Sequence, residues 1–98
     1  MTSATAVAPV DHRYAEVNGV RLHYASAGSG PLIVLLHGFP QCWYQYRHQL
    51  ADLADAHTVV APDLRGYNLS SKPGDVYAYL TCQMVEDIRQ LILALGAV

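Results

Sequence analysis

The alternation of apolar and polar residues predicts a β-hairpin near the start of the chain. Alternating runs at 14–17 and 20–24 flank the dipeptide Asn18-Gly19. Asn-Gly between two such runs favours a tight turn between antiparallel strands. The next run, 32–36, is apolar at all five positions and is bounded by turn residues on both sides. Such a run predicts a strand buried on both faces, as in a parallel sheet.

Further along the chain the spacing of apolar residues becomes helical. It predicts helices over 41–54 and 80–95, with a second buried strand at 58–61 and a polar loop at 63–75. The resulting order is β-β-β-α-β-α. Strands that alternate with helices favour parallel pairing, so we predict an α/β fold in which a β-hairpin precedes a β-α-β-α unit and the sheet is mostly parallel.

Composition is typical of one small globular domain, since 52% of the 98 residues are hydrophobic and 14% are charged. We predict a disordered leader at 1–11 and the domain at 12–98. The formal net charge of −2 provides no basic surface for phosphates, which argues against a nucleic-acid partner. No apolar run approaches the roughly 18 residues of a membrane span. The leader lacks the features of a secretion signal and there are only two cysteines, so we expect a cytoplasmic location and no membrane partner.

A glycine-containing turn, His37-Gly38-Phe39-Pro40, follows the first buried strand and precedes the first helix. Ligands of open α/β sheets bind at this end of the strands. Backbone N–H groups in such a turn can donate to an oxyanion. Pro40 has no N–H, so the Phe39 N–H is the predicted donor, with Gly38 and Pro40 shaping the turn and His37 bracing it by hydrogen bonds. The spacing alone is explained as well by an ordinary strand-to-helix turn.

Other polar residues are interpreted as structural. Asp63 and Arg65 follow the second buried strand, and we interpret them as a charge pair that holds the next loop in place. The five histidines show no metal-ligand spacing, so no metal site is predicted. Ser29 precedes its strand and lacks the glycine two residues earlier that a nucleophile elbow requires.

Three segments resemble a known family. Residues 37–50, which read HGFPQCWYQYRHQL, resemble the oxyanion-hole segment of α/β-hydrolases. They are most similar to the branch of epoxide hydrolases and haloalkane (haloacid) dehalogenases, whose motif is His-Gly-x-Pro. Residues 60–73 resemble the loop after the fourth strand of that branch, and 79–96 resemble the helix before its nucleophile strand. The resemblance covers 14–98 and implies the N-terminal part of an α/β-hydrolase fold, incomplete without the rest of the domain.

The resemblance also implies a reaction. In this branch an Asp attacks the substrate carbon to form an alkyl ester, and water activated by a His-Asp pair hydrolyses that ester. This chain would supply the Phe39 N–H, with Trp43 as a candidate pocket wall. The nucleophile, the acid, the catalytic His and the cap domain come later than residue 98 in the family. The 98-residue chain alone is therefore expected to be inactive. The family's chemistry implies a small-molecule substrate and no cofactor.

Three alternatives to an epoxide hydrolase remain open. A dehalogenase of the same branch would share the turn and the Asp nucleophile, although Trp43-Tyr44 and 47–49 favour the epoxide hydrolase. A serine esterase would also share an oxyanion turn, although Pro40 and the loop at 65–68 disfavour it. A truncated product without catalysis would show no turnover.

The family's strand order has a consequence for association. It places the strand 32–36 beside a further strand that this sequence lacks. One apolar edge would then be unpaired, and such an edge is a template for another chain. We therefore expect the isolated chain to self-associate through 32–36.

Overall fold

The structure is a computed structural model that describes residues 10–37 and 42–96. The elements in chain order are β1 (Asp11–Val17), β2 (Val20–Ala27), β3 (Leu32–Val34), a first 3₁₀ helix (Trp43–Tyr46), α1 (Arg47–Leu53), β4 (Thr58–Pro62), a second 3₁₀ helix (Val76–Tyr79) and α2 (Thr81–Ala94). β1 begins at the last residue of the predicted leader, and residues 1–9 of that leader lie outside the described part.

The four strands form one mixed sheet in the order β1-β2-β4-β3. β1 and β2 pair antiparallel around the Asn18-Gly19 turn, as the alternation predicted. β2 also pairs antiparallel with β4, while β3 and β4 run parallel. The β-hairpin is followed by a β-α-β-α unit, which is the order of elements that the sequence predicted. The expectation of a mostly parallel sheet holds only for the β3–β4 pairing, because the hairpin strand β2 adds to β4 in the opposite direction.

β4 is the buried centre of the sheet, and its side chains alternate between two apolar layers. Val59 and Ala61 are buried with Ala25 and Leu50 on the face that α1 covers. Val60 is buried on the other face with Tyr24 of β2 and Leu91 of α2, in a separate cluster. A strand with covered faces on both sides explains why 58–61 is apolar at nearly every position.

β3 is shorter and less buried than the predicted strand 32–36. Its three residues are half-buried, and Leu36 is 47% exposed. The reason is position: β3 lies at the edge of the sheet and has a strand neighbour, β4, on one side only. The Leu35 N–H still donates to the Val60 carbonyl at 2.8 Å, so the parallel pairing continues one residue beyond the strand.

The predicted helix over 41–54 is divided into the first 3₁₀ helix and α1. Cys42 precedes the 3₁₀ helix in an extended conformation and provides no side-chain cap. The Gln45 N–H donates to the Cys42 carbonyl at 3.2 Å, which is the three-residue spacing of a 3₁₀ turn. The Tyr46 hydroxyl donates to the Leu36 carbonyl and attaches this turn to the end of β3.

The hairpin turn is fixed to α2. Asn18 and Gly19 both have positive φ, 47° and 77°, as a two-residue hairpin turn requires. The Asn18 N–H donates to Gln90 Oε1 at 2.7 Å, and its side-chain amide donates to Asp87 Oδ1 at 3.0 Å. Within the described residues, neither helix has the length and apolar character needed to cross a membrane.

Candidate functional site

The carboxyl ends of the two parallel strands bring His37 and Asp63 to the same edge of the sheet. Asp63 directly follows β4, His37 comes three residues after β3, and both are buried. His37 Nε2 accepts a hydrogen bond from the Leu64 N–H at 3.0 Å. The His37 ring also packs edge-on against Tyr67, with 4.7 Å between ring centroids. The residue just before the 38–41 segment is therefore bonded to the loop that follows β4.

Asp63 is fully buried, and its carboxylate accepts three hydrogen bonds from residues that the structure describes. Oδ1 accepts from the Trp43 N–H at 2.8 Å. Oδ2 accepts from His23 Nδ1 at 2.7 Å and from the Asn68 side-chain amide at 3.1 Å. A buried carboxylate is tolerated only when its oxygens are paired in this way.

His23 extends this network toward the surface. A carboxylate can only accept, so His23 Nδ1 holds the proton of its bond to Asp63. His23 Nε2 lies 2.9 Å from Nδ1 of His12, an exposed residue of β1. The His23 backbone N–H donates to Ser70 Oγ, and the Ser70 hydroxyl donates to the Asp63 carbonyl at 2.6 Å. Hydrogen bonds therefore fix both the side chains and the backbones of His23 and Asp63.

Trp43 begins the first 3₁₀ helix and is half-buried. Its ring packs edge-on against His12, with 5.1 Å between centroids, and against Tyr44, with 5.5 Å. The predicted role of Trp43 as a pocket wall stays a prediction.

Of the other predicted site residues, His37 is described, and Gly38, Phe39 and Pro40 lie outside the described residues. His37 Nε2 accepts the hydrogen bond from the Leu64 N–H described above. Its support of the turn and the donor role of the Phe39 N–H stay predictions.

The interpretation of Asp63 and Arg65 as one charge pair is wrong, because each residue has its own partner. Asp63 pairs with His23. Arg65 is bidentate to Asp87 of α2, with two N–O distances of 2.6 Å, and its third nitrogen donates to the Ala78 carbonyl at 2.8 Å. The hydrogen bond to Asp87 raises the pKa of Arg65, more than burial lowers it. The loop after β4 is therefore bonded to β2 through Asp63 and to α2 through Arg65.

The His23–Asp63 pair was not predicted. Forty residues separate the two positions, and only the antiparallel register of β2 and β4 makes them neighbours. One signal was present, since a carboxylate directly after a strand buried on both faces needs a donor close by. Among residues 10–37 and 42–96, no three His, Cys, Asp or Glu side chains are grouped so as to hold a metal ion.

A cavity of about 430 Å³ lies away from this edge. Leu32 and Thr58, the first residues of β3 and β4, line it together with Tyr24, Val60 and Leu95 of the α2 face. Its lining includes the first residues of both parallel strands, whereas His37 and Asp63 follow the carboxyl ends of those strands and do not line it. Within the described residues, the cavity is therefore separate from the edge of the sheet that carries His37 and Asp63.

Known proteins resemble this chain in both sequence and structure. It is 47% identical over 87 residues to the soluble epoxide hydrolase of Corynebacterium sp. (strain C12), an alignment that covers 89% of this chain. It is 46% identical over 81 residues to epoxide hydrolase 3 of Mus musculus. The crystal structure of an epoxide hydrolase from Vigna radiata superposes with a TM-score of 0.91 at 42% identity, over 94% of this chain. An epoxide hydrolase from Bacillus megaterium, in an M145A mutant structure, gives 0.85 at 49% identity.

The matched part of these relatives is short. The chain spans 30% of the Corynebacterium enzyme, 22% of the mouse enzyme and 30% of the Vigna radiata chain. The family model of the alpha/beta hydrolase fold matches residues 31–98, which include β3, β4 and both helices. By its sequence and its fold, the chain belongs to the α/β-hydrolase fold family, and its relatives include epoxide hydrolases.

Proposed function

We propose that this chain is the oxyanion-hole segment of an epoxide hydrolase. The observation that supports this most is the 47% identity to the Corynebacterium soluble epoxide hydrolase over 87 residues. The geometry agrees, since His37 and Asp63 lie at the carboxyl ends of parallel strands, where α/β proteins bind ligands.

The proposed reaction has two steps, and the chain acts in the second. An Asp carboxylate outside this chain attacks an epoxide carbon, the ring C–O bond breaks, and the ring oxygen takes a proton from an acidic group outside this chain. Water then attacks the carbonyl carbon of the resulting ester, and the His of a His-Asp pair accepts one proton of the water. The Phe39 N–H donates to the oxyanion that forms on the carbonyl oxygen of the ester. Collapse of this intermediate breaks its C–O bond to the substrate, the departing alkoxide takes the proton from the His to complete the diol, and the regenerated Asp returns the second proton of the water to the acidic group.

The remaining site residues have supporting roles in this proposal. Gly38 and Pro40 set the path of the turn, and His37 holds its start through the bond from the Leu64 N–H. Trp43 forms part of the pocket wall. Water, side chains and the Phe39 backbone N–H provide all the groups that the two steps require.

A hybrid enzyme tests the proposal. We define it as the Corynebacterium soluble epoxide hydrolase in which the 87-residue matching stretch is replaced by the aligned residues of this chain. We expect the hybrid to hydrolyse styrene oxide, and the 98-residue chain alone to show no turnover. The Corynebacterium protein without the stretch is the matched control. A folded hybrid that hydrolyses no epoxide would contradict the proposal.

The alternatives are separated in two ways. A dehalogenase or a serine esterase differs from an epoxide hydrolase in its nucleophile and cap, which the hybrid takes from the Corynebacterium enzyme, so these two alternatives are distinguished by the nucleophile and cap of the full-length protein. A truncated product without a catalytic role would leave the hybrid no more active than the control that lacks the stretch.

A further inference from the structure

We propose that Asp63 is a positioning residue for the oxyanion-hole turn and that it acts through the backbone N–H of Trp43. The inference rests on the proposed function, because it assigns a residue to the same site. Asp63 lies in the loop after β4, outside the His-Gly-x-Pro motif.

Hydrogen bonds join both sides of the 38–41 segment to two consecutive residues, Asp63 and Leu64. His37, on one side, accepts from the Leu64 N–H at 3.0 Å. Trp43, on the other side, donates its N–H to Asp63 Oδ1 at 2.8 Å. Asp63 and Leu64 directly follow β4, the central buried strand. The separation of the two flanks is thus set by one short piece of backbone.

Hydrogen bonds fix the orientation of the Asp63 carboxylate. Oδ2 is held by His23 and Asn68, at 2.7 and 3.1 Å. The Asp63 backbone N–H donates to the His23 carbonyl at 2.9 Å. Rotation of the carboxylate would leave the buried Nδ1–H of His23 without an acceptor, which costs free energy. The Trp43 N–H therefore has an acceptor of fixed position, as the precise placement of a catalytic backbone group requires.

Burial excludes a direct chemical role for Asp63. It is fully buried and both its oxygens already accept hydrogen bonds. It has no exposed oxygen with which to attack a substrate or take up its proton. Any effect on turnover must therefore reach the substrate through the groups that Asp63 holds, and Trp43 is the one of these that lies nearest the turn in sequence.

The test uses paired variants of the hybrid enzyme. Trp43→Pro removes the donated N–H, and Trp43→Ala removes the ring but keeps that N–H. Proline is tolerated at a first helical position, and the extended Cys42 before it accepts a following proline. We expect kcat of Trp43→Pro to be at least tenfold below that of Trp43→Ala, with KM within about threefold, because small misplacements of catalytic groups lower kcat steeply.

Asp63 is tested in the same way against another buried carboxylate. Asp63→Ala should lower kcat about 10- to 100-fold, and Asp63→Asn, which keeps an oxygen for the Trp43 N–H, should lose much less. Asp87→Ala is the matched control, because Asp87 is equally buried but pairs with Arg65 on α2. It should lower the melting temperature and leave kcat within about twofold.

Amide hydrogen exchange gives a readout that does not depend on turnover. We expect peptides covering 38–43 to exchange faster in Asp63→Ala than in Asp87→Ala. Unchanged exchange there, or equal kcat for the two Trp43 variants, would overturn the positioning role. A folded but inactive unsubstituted hybrid would instead reject the proposed function, and exchange would still decide whether Asp63 orders the turn. Should Asp63→Ala not fold, the Trp43 pair decides alone.

Discussion

At the scale of single residues, the proposed chemistry depends on one backbone N–H, that of Phe39. Phe39→Pro removes this donor, whereas Phe39→Leu keeps it and retains an apolar side chain. Loss of one oxyanion donor lowers kcat by about 10²- to 10³-fold in hydrolases. We expect a loss of at least 100-fold for Phe39→Pro in the hybrid enzyme, relative to Phe39→Leu, measured as steady-state turnover of styrene oxide. Equal kcat for the two variants would exclude the Phe39 N–H as the donor.

A second residue-scale prediction concerns the buried ion pair between Arg65 and Asp87. Removing one partner of a buried pair leaves an uncompensated charge, which costs about 3–5 kcal/mol. We expect Arg65→Ala to lower the free energy of unfolding of the hybrid by about that amount, measured by urea denaturation. Both side chains are almost fully buried, at 4% and 1% exposure.

The exposed pair on α2 provides the control for that prediction. Hydrogen bonds from Arg89 and Gln90 lower the pKa of Glu86 to about 2. The Arg89–Glu86 distance is 2.6 Å, as short as that of the buried pair. Exposed pairs contribute little to stability because water screens them. Arg89→Ala should therefore change the unfolding midpoint far less than Arg65→Ala, and an equal change would show that burial does not set the cost.

Single residues also show what the sequence could and could not predict. The sequence predicts that His37 supports the turn by hydrogen bonds; the structure places a hydrogen bond from the Leu64 N–H on its Nε2, and the support of the turn stays a prediction. The partner of Asp63 could not be found in this way, because His23 lies on another strand. Spacing along the chain reports contacts within an element, whereas this contact depends on how β2 aligns with β4.

At the scale of elements, the turn between β2 and β3 approaches the α1–β4 connection very closely. A Cβ at Gly28 would lie 2.2 Å from the His57 carbonyl oxygen, and Gly28 has φ of +81°. Gly19 has nearly the same φ, +77°, with no heavy atom within 4 Å of its Cβ position. A side chain would therefore meet the same backbone strain at both glycines, and the two positions differ only in the room available for a Cβ atom.

Alanine substitutions at these two positions separate the stability cost of a left-handed backbone from the cost of a steric clash of the Cβ atom. Gly19→Ala should cost about 1–2 kcal/mol, the penalty of a left-handed conformation. Gly28→Ala should cost clearly more, because backbone atoms of the α1–β4 connection must move. The measurement is the urea midpoint of each variant in the hybrid enzyme. Similar midpoints would mean that the connection shifts freely and that the close approach is unimportant.

The sequence predicted the boundaries of an element well where the apolar periodicity was strong. It missed them where the position of the element in the sheet determined its length. α2 was predicted at 80–95 and spans Thr81–Ala94, because a long amphipathic pattern leaves little choice. β3 was predicted at 32–36 and spans Leu32–Val34. Its apolar run indicated two covered faces, and an edge position with one strand neighbour could not be inferred from the run itself.

At the scale of the whole molecule, the sheet is covered on both faces, and β3 is one of its two edge strands, with β1 at the other edge. α1 and α2 lie over opposite faces of β4. β3 has β4 on one side, and the described residues place no strand on its other side. The chain spans only 30% of the Corynebacterium enzyme. In the hybrid, the rest of that enzyme can cover this edge, which the 98-residue chain alone cannot do.

We propose that the isolated chain therefore self-associates by pairing β3 with β3 of a second copy. The Thr58 N–H donates to the Pro31 carbonyl and the Leu35 N–H donates to the Val60 carbonyl, so odd-numbered residues of this stretch point their backbone groups at β4. Backbone groups alternate along a strand, which leaves the N–H of Val34 facing outward. An outward N–H on an apolar edge is the group that a second strand binds.

Val34→Pro removes this outward donor without breaking a bond to β4, since proline is tolerated on edge strands. Val34→Thr is its control, because threonine is also β-branched and keeps the N–H. We expect light scattering after size-exclusion chromatography to show oligomers for the unsubstituted chain and for Val34→Thr, and a shift to monomer for Val34→Pro. The hybrid enzyme should be unaffected by Val34→Thr and should not associate through this edge. A monomeric unsubstituted chain, or oligomers that survive Val34→Pro unchanged, would exclude pairing through β3.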